Sequence, residues 1–159
     1  MNRLAVAALR VLLVILFLAA LSTELWFIPQ LAFKNARDFP ELAYLAAPYA
    51  VLWVAIVVNA QVTLVAVWVL LGKVRRGAIF SPSAFVWVNG IIAAGALGTA
   101  LLTAFEFHLL GVEDLGGPPL GMLLTALVIA GAAFVLVMLV MRGLLRQATA
   151  LQSELEEVV

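Results

Sequence analysis

Long apolar runs alternate along the chain with short connections rich in charge, glycine or proline. Four runs reach the roughly 20 residues that a helix needs to cross a bilayer; they cover residues 4–28, 42–71, 84–105 and 120–141. Inside hydrocarbon every backbone N–H and C=O must be satisfied within its segment, which favours helices. The pattern predicts an all-α membrane protein whose four transmembrane helices form an up-down-up-down bundle over residues 1–141.

Three connections separate the predicted helices. Residues 29–41 mix both charge signs and carry two prolines, so we expect a loop along the membrane surface. Residues 72–83 end in Ser81-Pro82, a favourable N-cap followed by a proline suited to the first helical position. The third connection, GVEDLGGPPLG, sets two glycines before two prolines, which predicts the end of one helix and the start of the next.

The composition supports a lipid environment. The chain is 66% hydrophobic and 11% charged, whereas soluble domains carry roughly 25% charged residues. The net charge of zero gives no attraction to nucleic acid, so we expect no direct nucleic-acid binding. The chain has no cysteine, which excludes disulfides and thiolate metal sites.

The cations are distributed unequally between the two sides of the predicted bundle. Lys34 and Arg37 fall on one side, and seven fall on the other: Arg3, Arg10, Lys73, Arg75, Arg76, Arg142 and Arg146. Because cytoplasmic loops are enriched in Lys and Arg, this predicts that both termini and residues 72–83 face the cytoplasm. An alternative for the N-terminus is a cleavable signal peptide ending near Ala20 and Ser22.

The basic loop between the second and third helices offers a second interpretation. Lys73, Arg75 and Arg76 retain the loop inside, and they could also bind anionic lipid headgroups.

A helical period continues beyond Met141, where the apolar character weakens. Apolar residues recur at spacings of four and three, as in a heptad repeat: Leu144, Ala148, Leu151, Leu155 and Val158. Residues 142–159 are therefore predicted to form a cytoplasmic amphipathic tail. A second copy, the membrane surface or a protein could cover its stripe. The short length and acidic end favour a protein partner, bound through Leu144, Leu151, Leu155 and Val158.

Few polar residues lie within the predicted spans. We expect Asn59, Gln61 and Asn89 to form hydrogen bonds between helices, with a solute pathway as the alternative. Asn59 and Gln61 are about 200° apart around a helix, so they cannot share a face. The small residues Gly90, Ala94 and Gly98 predict a close helix-packing seam, within the bundle or between copies of the chain.

Three titratable residues, Glu24, Glu106 and His108, are predicted near the outer ends of the first and third spans. We expect them to reach interfacial water; a site for a cation or proton relay is the alternative. No catalytic or cofactor-binding motif is present, so we expect neither enzymatic activity nor a cofactor or metal.

The segment GAIFSPSAFVWVNGIIAAGALG resembles a bacterial membrane family, domain of unknown function 2975. The matching residues are Gly77, Phe80 and Ser81, with Ala148, Leu151, Glu154, Glu156 and Val158 in the tail. The resemblance implies four spans in the bacterial cytoplasmic membrane and an acidic tail. Members are often encoded beside a small helix-turn-helix regulator, which implies such a regulator as partner.

Two functional classes follow from these observations. The first is a regulatory or binding protein that engages a cytoplasmic partner through its tail. The second is a small transporter or channel subunit, which the scarcity of charged groups within the spans makes less favourable.

Overall fold

A computed structural model describes residues 3–75 and 82–157 of the chain. The described residues form five α-helices: α1 Arg3–Ser22, α2 Ile28–Asp38, α3 Ala43–Arg75, α4 Pro82–Glu106 and α5 Gly117–Glu157. A first π segment, Thr23–Phe27, joins α1 to α2, and a second π segment, Phe107–Val112, extends α4. A short 3-10 turn, Pro40–Leu42, precedes α3.

Four continuous helical units result, because α1, the first π segment and α2 follow one another without a break. Each unit is long and apolar enough to cross a membrane, over Leu4–Asp38, Pro40–Val74, Ser83–Val112 and Gly117–Leu151. Consecutive units α3 and α4 run in opposite directions, since Lys73 near the end of α3 contacts Ser83 near the start of α4. The predicted all-α class with four long apolar helices is confirmed.

The first helical unit is longer than the sequence predicts. Residues 29–38, expected in a surface loop, continue the helix to Asp38. In a regular α-helix the ring of Pro29 would clash with the carbonyl of Leu25. Leu25 lies instead in the first π segment, whose wider turn gives the ring room, so the chain passes the proline without leaving the helix.

The other two connections follow their sequence signals. Pro82 is the first helical residue of α4, while the expected cap Ser81 lies outside the described residues. Gly116 and Gly117 have φ values of 101° and 61°, a region that side-chain-bearing residues rarely adopt. α5 starts at this turn, as the paired glycines and prolines predict.

The helices pack in chain order. α3 lies between the first helical unit and α4, and α4 lies between α3 and α5. Phe105, Leu109 and Leu124 form a buried cluster between α4, the second π segment and α5, where α3 also contributes Tyr49 and Trp53. Large apolar side chains are exposed along every helical unit, as expected for surfaces that face lipid.

α3 and α4 approach closely at part of the predicted Gly90/Ala94/Gly98 seam. Ala94 is buried, and its carbonyl oxygen accepts a hydrogen bond from Asn59 Nδ2. A Cβ added at Gly98 would lie 2.7 Å from the same Asn59 nitrogen. A Cβ at Gly90 would meet no atom within 4 Å. The close approach therefore involves Ala94 and Gly98, one and two turns beyond Gly90.

A second close contact joins α4 to α5. A Cβ at Gly131 would lie 2.5 Å from Thr99 Oγ1, and one at Gly95 would lie 3.0 Å from the Phe134 ring. These glycines allow the two helices to approach as small residues do in membrane helix pairs.

The register between α4 and α5 shows where α5 passes the start of α4. Glu106 contacts Thr125, and Asn89 contacts Arg142. The two helices are therefore antiparallel, and each residue forward along α4 corresponds to one residue back along α5. The same register places Leu144 level with Trp87 and Ala148 level with Ser83. α5 then continues for nine described residues to Glu157, roughly 14 Å of helix.

The α3–α4 contact predicts different outcomes for two matched substitutions. Gly98→Ala should lower the free energy of unfolding in detergent, because the new methyl group displaces Asn59 from the Ala94 carbonyl. Gly90→Ala should be neutral or stabilising, since alanine has the higher helix propensity. We expect the two variants to differ by about 1 kcal/mol or more. Equal stability would show that Asn59 shifts without loss of packing.

Candidate functional site

Polar side chains lie at three depths of the helical layer. We call the end that carries Lys73 and Ser83 the basic end. We call the opposite end, with Asp38, Glu41 and Glu113, the acidic end. The third depth is near the middle of α3, where Asn59 and Gln61 lie.

At the basic end, Lys73 links two helices. Its Nζ donates a hydrogen bond of 2.7 Å to Ser83 Oγ, which ties the last turn of α3 to the first turn of α4. Arg75 is the last residue of α3, and Arg76 lies outside the described residues. The assignment of Lys73, Arg75 and Arg76 to lipid headgroups stays a prediction.

The predicted partner-binding stripe starts beside α4. Arg142 donates a 3.0 Å hydrogen bond to Asn89 Oδ1, which holds this part of α5 against α4. Leu144 and Leu151 are 54% and 61% exposed. The helix continues through Leu155, whereas Val158 lies outside the described residues.

Near the middle of α3, the side chains of Asn59 and Gln61 reach two different helical units on opposite sides of α3. Asn59 donates to the Ala94 carbonyl of α4, and Gln61 Nε2 donates a 3.2 Å hydrogen bond to Glu24 Oε2 of the first π segment. The expectation that these two amides bridge helices and do not share a face is confirmed. Asn89 also bridges helices, through Arg142.

Glu24 lies deeper than the sequence predicts. Because the first helical unit extends to Asp38, Glu24 has fourteen helical residues after it and twenty-one before it. Its partner Gln61 is two residues from the midpoint of the 33-residue α3. The prediction that Glu24 lies near the outer end of a span is wrong, because Pro29 does not end the helix.

The acidic end contains a network of aromatic and titratable side chains. Tyr49 Oη and His108 Nδ1 share a hydrogen bond of 2.9 Å, and Tyr44 Oη donates one of 2.7 Å to Glu113 Oε2. Thr125 Oγ1 donates to Glu106 Oε1. The bonds of Tyr49 and Glu106 join helical elements, and that of Tyr44 joins α3 to the connection after the second π segment, so the network links α3, the α4 unit and α5 at one end.

Glu24, Glu106 and His108 do not form one cluster. Their hydrogen-bond partners are three different residues, namely Gln61, Thr125 and Tyr49. Among the described residues, no three His, Asp or Glu side chains come together in a group that could hold a metal ion.

Two groups of ring contacts between the helices could not be predicted from the sequence. The ring centroid of Phe105 lies 5.1 Å from that of Tyr49 and 5.3 Å from that of Trp53, both in edge-to-face geometry. Arg10 places its guanidinium 5.3 Å from the centre of the Trp68 ring. These pairs depend on the register between helices, which a single sequence with evenly apolar spans leaves open.

By length and composition, the four helical units define a multi-pass helical membrane protein. Residues 30–159 match the family described as "Protein of unknown function (DUF2975)". Since the match covers most of the 159 residues, the chain belongs to this family. No curated protein and no solved structure matches the chain.

The aromatic group at the acidic end predicts a contrast between two neighbouring phenylalanines. Phe105 is buried against Tyr49 and Trp53, whereas Phe107 is 71% exposed. Phe105→Ala should lower the free energy of unfolding, by less than the roughly 3–5 kcal/mol typical of water-soluble cores, because lipid replaces water as the reference environment. Phe107→Ala should change stability little in a denaturant titration of the detergent-solubilised protein. Similar losses for both would contradict the packing described.

Proposed function

We propose that the chain is a multi-pass protein of the bacterial cytoplasmic membrane that binds a cytoplasmic protein through the last turns of α5. The observation that carries the proposal is the continuity of α5. The helix passes the level of Ser83 near Ala148 and continues to Glu157, with Leu151 exposed beyond that level.

The chemistry of this segment favours a protein over the membrane surface. A short amphipathic helix is marginally stable in water unless its apolar stripe is covered. Glu154, Glu156 and Glu157 lie at its end, where anionic lipid would repel them. Helix-in-groove docking of Leu151 and Leu155 covers the stripe and leaves the carboxylates in water.

The family resemblance suggests the class of partner. Members of the family are often encoded beside a small helix-turn-helix regulator, so we propose such a regulator as the protein that binds the tail. Membrane attachment would then hold the regulator away from DNA or release it, while this chain makes no contact with nucleic acid.

The proposal requires the basic end to face the cytoplasm. Seven of the nine cations support this orientation by the bias of cytoplasmic loops toward Lys and Arg. Reporter domains fused after Lys73 and after Val159 should be active only in the cytoplasm, and fusions after Asp38 and Asp114 only outside it. A cytoplasmic reading at Asp114 would contradict both the orientation and the proposed docking.

A pair of variants tests the docking segment. In a crosslinking pull-down from native membranes, Leu151→Ser/Leu155→Ser should insert normally and lose the helix-turn-helix partner. Ala150→Ser/Ser153→Gln alters a different side of the same turns and should keep it. Equal recovery of the regulator by both double variants would remove α5 from the interaction.

A transporter or channel subunit is the second candidate, favoured by the Glu24–Gln61 pair in the middle of the spans. A solute flux in proteoliposomes that Gln61→Leu abolishes would support this candidate over the first.

A further inference from the structure

Arg10 lies within the apolar part of α1, and its side chain reaches α3. The guanidinium carbon is 5.3 Å from the centre of the Trp68 ring. Trp68 precedes Lys73 by five residues, and Lys73 contacts Ser83, so Arg10 lies about 8 Å inside the basic end. Arg10 contributes to the positive charge of this end, but neither that charge bias nor the proposed docking of α5 accounts for its position within the helix.

Arg10 and Arg142 lie at nearly the same depth and differ in their partners. Arg142 donates a hydrogen bond to Asn89, which follows Ser83 by six residues, about 9 Å of helix. The Nε of Arg10 is buried, and no described residue accepts a hydrogen bond from it. The face of the Trp68 ring attracts the cation but offers its N–H groups no oxygen. Within the described residues, the chain therefore supplies a polar acceptor for Arg142 and none for the Nε of Arg10.

The carboxylates of the chain are far from Arg10. On the first helical unit the nearest is Glu24, fourteen residues later and about 21 Å along the helix. α3 contains no Asp or Glu, and the only one in α4 is its last residue, Glu106. The first in α5 is Glu154, twelve residues beyond Arg142 and about 18 Å along the helix. Residues 1–2 and 76–81 contain no acidic residue either. Since an uncompensated cation is costly within a bilayer, the counter-charge of Arg10 must come from outside the chain.

We infer that Arg10 and Trp68 form a binding site for the phosphate group of an anionic phospholipid in the leaflet at the basic end. A guanidinium presents its N–H donors as a planar fork that matches two phosphate oxygens. A tryptophan ring is suited to the headgroup level of a bilayer, and a long arginine side chain can extend to that level from within a span. Basic surfaces without carboxylates attract anionic headgroups, which favours an anionic over a zwitterionic lipid.

The surroundings of Arg10 favour a lipid over a dissolved anion. Val14 and Leu18, one and two turns deeper on α1, are exposed, as is Val65 on α3, three residues from Trp68. These side chains offer apolar surface to the acyl chains of a lipid whose phosphate is held by Arg10. The inference stands independently of the proposed docking of α5 and of which end faces the cytoplasm, because it concerns a different helix and only the leaflet at the basic end.

Native mass spectrometry of the full chain, released from detergent micelles with equal amounts of phosphatidylglycerol and phosphatidylcholine, tests the site. The wild-type protein should retain phosphatidylglycerol several-fold more than phosphatidylcholine, and Arg10→Gln should lose most of this preference. Arg142→Gln removes a cation at the same depth whose acceptor is Asn89, so this matched control should keep the preference. An unchanged preference in Arg10→Gln, or an equal loss in both variants, would overturn the inference. Displacement of the bound lipid by inorganic phosphate would assign the site to a dissolved anion and contradict the lipid.

A second measurement leaves Arg10 unchanged and uses Trp68 as the reporter. Vesicles contain equal amounts of phosphatidylglycerol and phosphatidylcholine, and one of the two carries bromine on its acyl chains near the headgroup. The part of the tryptophan quenching that Trp68→Phe removes should be larger when phosphatidylglycerol carries the bromine. The part that Trp87→Phe removes should be the same for both lipids. Equal quenching of Trp68 by the two lipids would contradict the site even if Arg10→Gln failed to fold.

Discussion

The hydrogen bond that Asn59 donates to the Ala94 carbonyl fixes the depth at which α3 and α4 meet. Inside hydrocarbon a side-chain amide has no water to bind, so it must find its partner in the protein. Gly98 leaves the space that the Asn59 side chain occupies. With this depth fixed, Lys73 reaches Ser83 at one end and Tyr49 reaches His108 at the other. The apolar surfaces of the two helices would fit in several registers, and the polar contacts select one.

The same logic explains why so little of the chain is buried. Lipid is as apolar as leucine, so burial of leucine between helices gains little and close packing must supply the association. The structure meets this condition at a few sites where a small residue lies opposite a larger one. Gly131 lies against Thr99, and Gly95 lies against Phe134. The aromatic group around Phe105 provides a buried cluster, whereas many other large apolar side chains of the described residues are exposed.

The number and type of helices could be predicted from the sequence because hydrocarbon allows few alternatives to a helix. Turn chemistry predicts a helix start at Pro82 and another within the Gly-Gly-Pro-Pro segment, where α5 begins at Gly117. The length of the first helix is underestimated from the sequence, because a proline such as Pro29 usually ends a helix. None of the sequence patterns above predicts the π segment that accommodates this proline. The directions of Asn59 and Gln61 followed from helical geometry, but their partners did not. Partners depend on register, and the pairing of Gln61 with Glu24 required the extended first helix.

Both π segments carry a titratable side chain that contacts α3. Glu24 in the first segment binds Gln61, and His108 in the second binds Tyr49. A π turn re-aims side chains relative to an α-helix, and such turns occur frequently at functional sites. α3 therefore receives a polar contact from the first helix at mid-depth and from the α4 unit at the acidic end. On the other face of α3, two residues from Gln61, Asn59 donates a hydrogen bond to α4. α4 in turn binds Arg142 of α5 through Asn89. These contacts connect the Glu24–Gln61 pair through α3 and α4 to the helix that we propose binds the cytoplasmic partner.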